Sequence, residues 1–262
     1  MNPDYRLTIQ FSLGGLSFVL FDTEAHMVTD VELHQSENLK NIDELFRTLE
    51  KDLRPRDLKS GNCQSVTCLI DGPTTTLVPK ELFHDDDLTK LLGFSHTIPA
   101  GYLTAAEEVE NLQAYNLFAY PQSLHDLILK RWPDAQICHS ITVFLKNLPK
   151  SETPVVYVNV RNRDFDMAIM QDKLLFFNNF EFKTKVDFCY FILYAMQQQG
   201  LSGLETPVWF SGLIQPGSEI IELCRRYLKN IRFVTRPHEF KVKDLLLDVP
   251  FQYYYNHYLI LK

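Results

Sequence analysis

Four aspartates could supply the carboxylates of a two-metal nuclease site, where paired cations stabilise the attacking and leaving oxygens. They are Asp22, Asp71, Asp164 and Asp166. Such a site also needs a carboxylate in the middle of the first strand of its sheet, where this chain has Thr8, Gln10 and Ser12. The segment Asp71-Gly72-Pro73 is itself typical of a turn that ends a strand. The pattern therefore argues against a nuclease.

No other motif for catalysis, phosphate binding or metal binding is complete in the sequence. There is neither a Walker loop nor a Gly-x-Gly-x-x-Gly segment. Ser17 and Ser211 lack the flanking glycines of a Gly-x-Ser-x-Gly elbow. The eight histidines are scattered, without His-x-x-x-His spacing. We therefore predict no catalytic residue and no metal site.

Charge and apolar patterning argue against nucleic-acid and membrane partners. The chain has 26 Lys and Arg against 33 Asp and Glu, and a net charge of −7 disfavours binding to a phosphate backbone. The longest strongly apolar stretch, 188–196, covers nine residues. A membrane-spanning helix needs about 20 residues.

Cysteine usage and the first residues point to a reducing compartment. Five cysteines occur, an odd number without Cys-x-x-Cys, which indicates reduced thiols that act as small core residues. The opening segment MNPDYRLTIQ lacks the basic and apolar regions of a signal peptide. These features predict a cytoplasmic protein.

Hydrophobic periodicity predicts the elements of the first part of the chain. Apolar residues alternate with polar ones over 5–12, the period of a strand, and a turn at Leu13, Gly14 and Gly15 leads into a second strand. The further predicted elements are strands at 16–21, 27–33 and 66–70, helices at 41–53, after Pro79, at 88–92, 123–132 and 140–148, strands within 94–119, and a strand at 135–139.

The same order of elements then starts again. The predicted elements are strands at 155–160, 165–170, 173–180, 207–211 and 231–234, helices at 186–199 and 218–228, and a final strand at 253–261. This return predicts an internal duplication with halves at 1–149 and 150–262. Each half would be a mixed five-stranded sheet with packed helices, which makes the chain an α/β protein. Chance similarity of two α/β halves is the alternative.

Four segments resemble an uncharacterised bacterial family with the actin-like ATPase fold, typical of Bacteroidetes. They are LTIQFSLGGLSFVLFD, TTTLVPKELF, PVVYVNVRNRDFDMAI and VWFSGL. The resemblance implies two tandem ribonuclease-H-like subdomains. It also implies a cleft between the halves, where members of the superfamily bind ATP and a divalent metal.

The resemblance also implies which residues would meet a nucleotide. They are Ser12, Gly14, Gly15, Asn159, Arg161, Arg163, Ser211 and Gly212. Superfamily members place an aspartate where this chain has Ser12 and Asn159, so both carboxylates that hold magnesium are replaced by neutral groups. Arg161 and Arg163 could pair with phosphate oxygens without metal. In the alternative interpretation they belong to a polar hairpin tip.

These replacements predict a catalytically degenerate protein that acts as an interaction or scaffold module. ATP and magnesium are disfavoured as cofactors, and the expected partner is another protein or a second copy. The segment predicted as the closing strand is rich in aromatic residues, and Tyr253, Tyr254, Tyr255 and Tyr258 could also form a protein-binding face. The alternative functions are an ATP sensor and a drifted ATPase or kinase.

Overall fold

A computed structural model of the protein describes residues 4–12, 15–35 and 63–262. The predicted helix at 41–53 lies outside these residues. The chain divides into two compact units. The first unit comprises Met1–Lys146, His238–Asp248 and Asn256–Lys262, and the second comprises Asn147–Pro237 and Val249–Tyr255. The residues that close the chain thus belong to the first unit, although the sequence assigns all of 150–262 to one half.

The described residues contain fourteen strands and six α-helices, numbered in chain order. The strands are β1 Tyr5–Ser12, β2 Gly15–Asp22, β3 Met27–Gln35, β4 Cys63–Ile70, β5 Thr75–Pro79, β6 Tyr102–Val109, β7 Ala114–Pro121, β8 Gln136–His139, β9 Val155–Val160, β10 Asp164–Met170, β11 Leu174–Glu181, β12 Val208–Gly212, β13 Ile231–Phe233 and β14 Lys241–Val242. The helices are α1 Leu88–Gly93, α2 Gln122–Arg131, α3 Ser140–Lys146, α4 Lys185–Gln198, α5 Glu219–Cys224 and α6 Tyr255–Leu261.

The main sheet of the first unit has the order β14-β3-β2-β1-β4-β8. Alternation along β1 buries Leu7, Ile9 and Phe11 in one apolar cluster, as the sequence predicts. Helix α2 contributes Leu124 and Ile128, four residues apart on one helical face, to the same cluster. The sequence predicts five strands for this sheet, and the two-residue β14 is a sixth.

A separate three-stranded sheet, in the order β5-β7-β6, occupies the segment between β4 and α2. Strands β6 and β7 are the ones expected within 94–119. The strand β5 is not predicted from the sequence, where Pro79 is expected to open a helix. Pro79 instead ends β5 and is followed by one 3-10 turn, Lys80–Leu82, because a residue without an N–H is tolerated at the end of an edge strand.

The sheet of the second unit has the order β11-β10-β9-β12-β13. It repeats the order of β3, β2, β1, β4 and β8, with two antiparallel pairings followed by two parallel ones. Helix α4 begins with a capping box between Thr184 and Asp187 and packs on Val158, Phe165 and the other apolar residues of one sheet face. The predicted fold class is confirmed at the level of α/β architecture; the origin by duplication stays a prediction.

The predicted final strand at 253–261 is wrong. This segment forms a 3-10 turn, Phe251–Tyr254, followed by α6. Tyr254, Tyr258 and Leu261 are buried at helical spacing, a period that a continuous run of aromatic residues hides. Arg6 stabilises the end of α6, because its guanidinium donates to the carbonyl oxygens of Ile260 and Leu261 at 3.0 and 3.3 Å.

Candidate functional site

The first hairpin holds the residues predicted for a first phosphate loop. Ser12 and Gly15 face each other across β1 and β2, and the Ser12 hydroxyl donates to the Gly15 carbonyl oxygen at 3.1 Å. Gly15 has φ +142°, and a Cβ placed there would lie 1.8 Å from the backbone oxygen of His34. The close approach of β3 therefore requires this glycine. Gly14 lies outside the described residues.

Asn159 and Ser211 lie on neighbouring strands of the second unit, β9 and β12. Both side chains are buried, and the Ser211 hydroxyl donates to Asn159 Oδ1 at 3.0 Å. Gly212 has φ +82°, and a Cβ there would lie 2.1 Å from the backbone oxygen of Val160. As at Gly15, the backbone of the neighbouring strand leaves no room for a Cβ. The fold itself therefore requires this glycine, whether or not a ligand binds.

Arg161 is the centre of an ion cluster at the turn between β9 and β10. Its Nε and NH2 donate to Asp164, and NH1 and NH2 donate to the two carboxylate oxygens of Asp166. Asn179 of β11 donates from Nδ2 to Asp164 Oδ2 and Asp166 Oδ1, at 2.9 Å each. The Arg161 side chain is only 11% exposed, and the Asp166 side chain is fully buried.

The electrostatics of the cluster favour the ionised form of Asp164. Burial alone would raise the pKa of Asp164, but the charge of Arg161 and the hydrogen bonds from Arg161 and Asn179 hold it below its ordinary value. Arg161 therefore has two carboxylates as partners. A phosphate would have to displace at least one of them to bind this guanidinium.

Arg163 differs from Arg161 because it is exposed at the same turn. Its backbone oxygen accepts from the N–H of Phe182. The structure thus brings Asn159, Ser211 and Gly212 together on adjacent strands and places Arg161 in the turn that follows β9. Ser12 and Gly15 form a separate pair in the first unit.

These residues do not fit a magnesium–triphosphate site. Magnesium takes hard oxygen ligands, usually one or two carboxylates. At the two positions where the superfamily has carboxylates, this chain offers the Ser12 hydroxyl and an Asn159 amide oxygen that already accepts from Ser211. Within residues 4–12, 15–35 and 63–262, no group of three or more His, Cys, Asp and Glu side chains could hold a metal ion.

The sequence contains a local signal for the Arg161 cluster, although neither motif matching nor hydrophobic periodicity reveals it. Residues 161–166 read RNRDFD. Asp164 and Asp166 are two apart in a strand and therefore lie on one face, next to the arginine that begins the turn. Asn179 comes from β11, where it pairs with Asp166, and no local pattern indicates that contact.

A second polar cluster, around His257 of α6, is not predicted from the sequence either. The imidazole is fully buried between two hydroxyls, with Nδ1 2.8 Å from Thr8 Oγ1 and Nε2 2.8 Å from Ser17 Oγ. Burial lowers the pKa of His257 to about 3, although a hydrogen bond with Thr8 opposes this. The imidazole is therefore neutral, and one ring nitrogen donates while the other accepts. The cluster resembles a Ser–His pair but is closed to substrate, so we assign it to the attachment of α6.

A third polar cluster surrounds Glu107 of β6. Both of its carboxylate oxygens accept from the backbone N–H of His139, at 3.1 and 3.2 Å. Burial raises the pKa of Glu107, while hydrogen bonds from Thr142 and His139 act in the opposite direction. Thr142 also accepts from Asn116 at 2.9 Å. These bonds attach α3 to β6 and β7, so the cluster stabilises the fold of the first unit.

Residues 2–231 match the family described as Protein of unknown function (DUF3822). The chain belongs to this family. The match covers most of the sequence and confirms the predicted resemblance. A search of curated proteins found no match.

Solved structures with the same architecture show the fold. A protein of Bacteroides thetaiotaomicron, described as having an actin-like ATPase fold and unknown function, has 16% identity and a TM-score of 0.76, over 89% of this chain and 91% of the other. A structure of the PilM–PilN type IV pilus biogenesis complex gives 9% identity and a TM-score of 0.65, over 97% and 96%. The DUF3822 chain thus has the actin-like ATPase fold. No helix among its described residues is long and apolar enough to cross a membrane.

Proposed function

We propose that this protein is a non-catalytic actin-like module that binds another protein in the bacterial cytoplasm. One observation carries the proposal. At the second hairpin, where the superfamily holds magnesium with an aspartate, Arg161 is bound by Asp164 and Asp166. The carboxylates of this turn thus form ion pairs with an arginine of the protein itself and are not free to bind a magnesium ion.

The loss of both magnesium carboxylates supports the absence of turnover. A neutral hydroxyl at Ser12 and a neutral amide at Asn159 neither balance nor position a divalent cation as carboxylates do. Removing one group that stabilises a transition state commonly costs about 3–4 kcal/mol. Two such losses would leave little of the hydrolysis that the superfamily performs.

The similar structures and the thiols support a protein partner and a cytoplasmic location. One similar structure, PilM–PilN, is a complex of two proteins, so the fold is compatible with protein binding. All five cysteines are free thiols, as is typical of proteins in a reducing compartment.

Isothermal titration with ATP, with and without magnesium, tests the proposal. We expect no heat of binding in either buffer for the wild type. The Asn159→Asp variant restores one carboxylate and serves as a comparison, and we expect it to bind no ATP either, because Arg161 stays in place. Tight binding of ATP by the wild type that requires magnesium would contradict the proposal.

A nucleotide sensor that binds without hydrolysis is the second candidate, and exposed Arg163 is the observation that favours it. A sensor would bind ATP equally well with and without magnesium. Its affinity would fall in Arg163→Ala but not in Arg236→Ala, a control arginine elsewhere in the second unit. Such a result would favour the sensor over the scaffold.

A further inference from the structure

Two cysteines of the second unit lie on the buried faces of neighbouring helices. Cys189 belongs to the buried face of α4, together with Phe188 and Ile192. Cys224 belongs to the buried face of α5, together with Ile221. Helices α4 and α5 are in contact with each other, and both cysteines belong to the apolar cluster of the second sheet. The fold therefore brings two thiols that are distant in the sequence into one environment.

An ion pair at the start of the two helices places the cysteines at the same level. The Lys185 ammonium donates to the Glu219 carboxylate at 2.8 Å, which joins the first residues of α4 and α5. Cys189 follows Lys185 by four residues, and Cys224 follows Glu219 by five. A helix rises about 1.5 Å per residue, so the thiols lie about 6 and about 7.5 Å along the two helices from this ion pair.

The two thiols contact each other directly. The Cys224 thiol donates a hydrogen bond to the sulfur of Cys189. This bond lowers the pKa of Cys189 and raises that of Cys224, because it stabilises a negative charge on the accepting sulfur and retains the proton on the other. Burial raises the pKa of the other three thiols, those of Cys63, Cys68 and Cys138. Cys189 is therefore the thiol best suited to act as a nucleophile.

We propose that Cys189 and Cys224 form a redox site, which hydrogen peroxide oxidises to a disulfide and which a thiol reductant restores. Disulfides in a reducing compartment are usually transient and serve catalysis or redox sensing. The proposal goes beyond the proposed function, because it holds whether or not the protein binds a partner or a nucleotide.

One molecule of hydrogen peroxide balances the oxidation. The sulfur of Cys189 attacks a peroxide oxygen, the O–O bond breaks, and a sulfenic acid forms while hydroxide leaves and takes up the proton of Cys189. The sulfur of Cys224 then attacks the sulfur of Cys189. This second step forms the S–S bond, breaks the S–O bond and releases a second water with the proton of Cys224. The two thiols lose two electrons, and peroxide is reduced to two waters. Thiol exchange with a reductant reverses the reaction.

Local opening of α5 provides access for the oxidant. The side chains of Cys189 and Cys224 are 3% and 0% exposed. However, α5 spans only six residues, and the hydroxyl of the preceding Ser218 donates to the Gln215 carbonyl oxygen instead of capping the helix. Elements with few stabilising contacts open at a lower free energy than core strands. Cys224 is the last residue of α5, so opening of this end admits peroxide, and the disulfide then holds α5 against α4.

The three cysteines of the first unit do not form such a pair. Cys63 and Cys68 are five residues apart on β4, which corresponds to about 16 Å along a strand. Cys138 of β8 is in register with Leu69, and Cys68 is in register with Ile137. Because successive side chains of a strand point to opposite faces, Cys68 and Cys138 lie on opposite faces of the sheet. These thiols serve as internal controls.

Non-reducing peptide mass spectrometry of the whole protein after treatment with hydrogen peroxide tests the proposal. Samples taken over time are unfolded in urea with a thiol-blocking maleimide and then digested. We expect a cross-linked peptide pair that contains Cys189 and Cys224, has lost two hydrogen atoms, and separates after treatment with dithiothreitol. The thiol of Cys189 should disappear about tenfold faster than that of Cys63.

Two single variants test the separate roles of the thiols, with dimedone as a reagent for sulfenic acids. In Cys224→Ser the sulfenic acid of Cys189 has no thiol to attack it, so dimedone should label Cys189. In Cys189→Ser dimedone should not label Cys224, because that thiol keeps its proton. Cys68→Ser is the matched control, because Cys68 is also fully buried, and it should form the disulfide at the rate of the wild type. Circular dichroism checks that each variant is folded.

Three results would overturn the proposal. They are oxidation of the folded wild type without the Cys189–Cys224 peptide pair, formation of this pair only in urea, and equal labelling of Cys189 and Cys63 by dimedone in Cys224→Ser. ATP titration involves neither thiol, so the proposed function and the redox site can fail independently.

Discussion

Arg161 binds the buried carboxylate of Asp166 with both terminal nitrogens of its guanidinium, and the NH2–Oδ1 distance is 2.8 Å. Asp166 is fully buried, whereas its partner is 11% exposed. Burying a carboxylate is costly unless charge and hydrogen bonds compensate for the lost hydration. This ion pair therefore attaches the turn after β9 to the interior of the sheet of the second unit.

Arg161→Ala should destabilise the protein strongly, because it leaves the carboxylate of Asp166 buried without its cation. We expect a loss of about 3–5 kcal/mol in the free energy of unfolding. The double variant Arg161→Ala/Asp166→Ala should lose less than the sum of the two single changes, since neither charge then remains unpaired. Urea unfolding of the four proteins measures this coupling.

Arg163→Ala is the control for this double-mutant cycle of Arg161 and Asp166, because Arg163 lies at the same turn and is exposed. We expect its free energy of unfolding to change by less than about 0.5 kcal/mol. Additive effects of the Arg161 and Asp166 changes would show that the observed contacts do not stabilise the fold.

Acid should weaken the attachment of α6 through His257. Burial lowers the pKa of His257 from 6.5 to about 3, so between these values the unfolded chain takes up a proton that the folded chain does not. The contribution of His257 to stability is complete above about pH 6.5 and falls as the pH decreases toward 3. At about pH 5 we expect a loss of about 2 kcal/mol from this residue.

Urea unfolding at neutral and mildly acidic pH, compared between wild type and His257→Gln, measures this effect. The variant loses part of its stability at neutral pH and should show a flatter dependence on pH. His84→Gln is the control, because His84 is exposed and its removal should leave the dependence unchanged. Parallel pH curves for wild type and His257→Gln would contradict the assignment.

The thiols of Cys63 and Cys138 should react slowly in the folded protein. Burial raises the pKa of Cys63 from 9.0 to about 11. Burial, with a smaller effect of Glu107, raises that of Cys138 to about 12. Since the thiolate is the nucleophile, alkylation at about pH 8 should be about 100-fold and 1000-fold slower than for ordinary thiols.

Timed iodoacetamide labelling, read by peptide mass spectrometry, gives the rate at each thiol. The urea-unfolded protein supplies the unhindered rates, at which both cysteines should react alike. Fast labelling of either cysteine in the native protein would show that its environment is more polar or more open than the structure indicates.

The sequence alone determined the local elements with a clear period. Alternation along β1 and β9 and the apolar face of α4 are visible within a few residues, because strand and helix periods depend on which side chains must face the core. Counting these elements also predicted the repeated strand order and the α/β class. The replacement of two carboxylates by Ser12 and Asn159 could be read from the sequence once the resemblance had been identified.

Only the tertiary structure decided the contacts between distant residues. The sequence predicts a strand for the C-terminal segment, because its many aromatic residues conceal a helical period. The hydroxyls that hydrogen-bond to His257, those of Thr8 and Ser17, lie more than 200 residues away in the chain. Asn179 likewise reaches Asp166 only through the pairing of β10 with β11. These partners depend on the packing of whole elements, which no local pattern of polarity specifies.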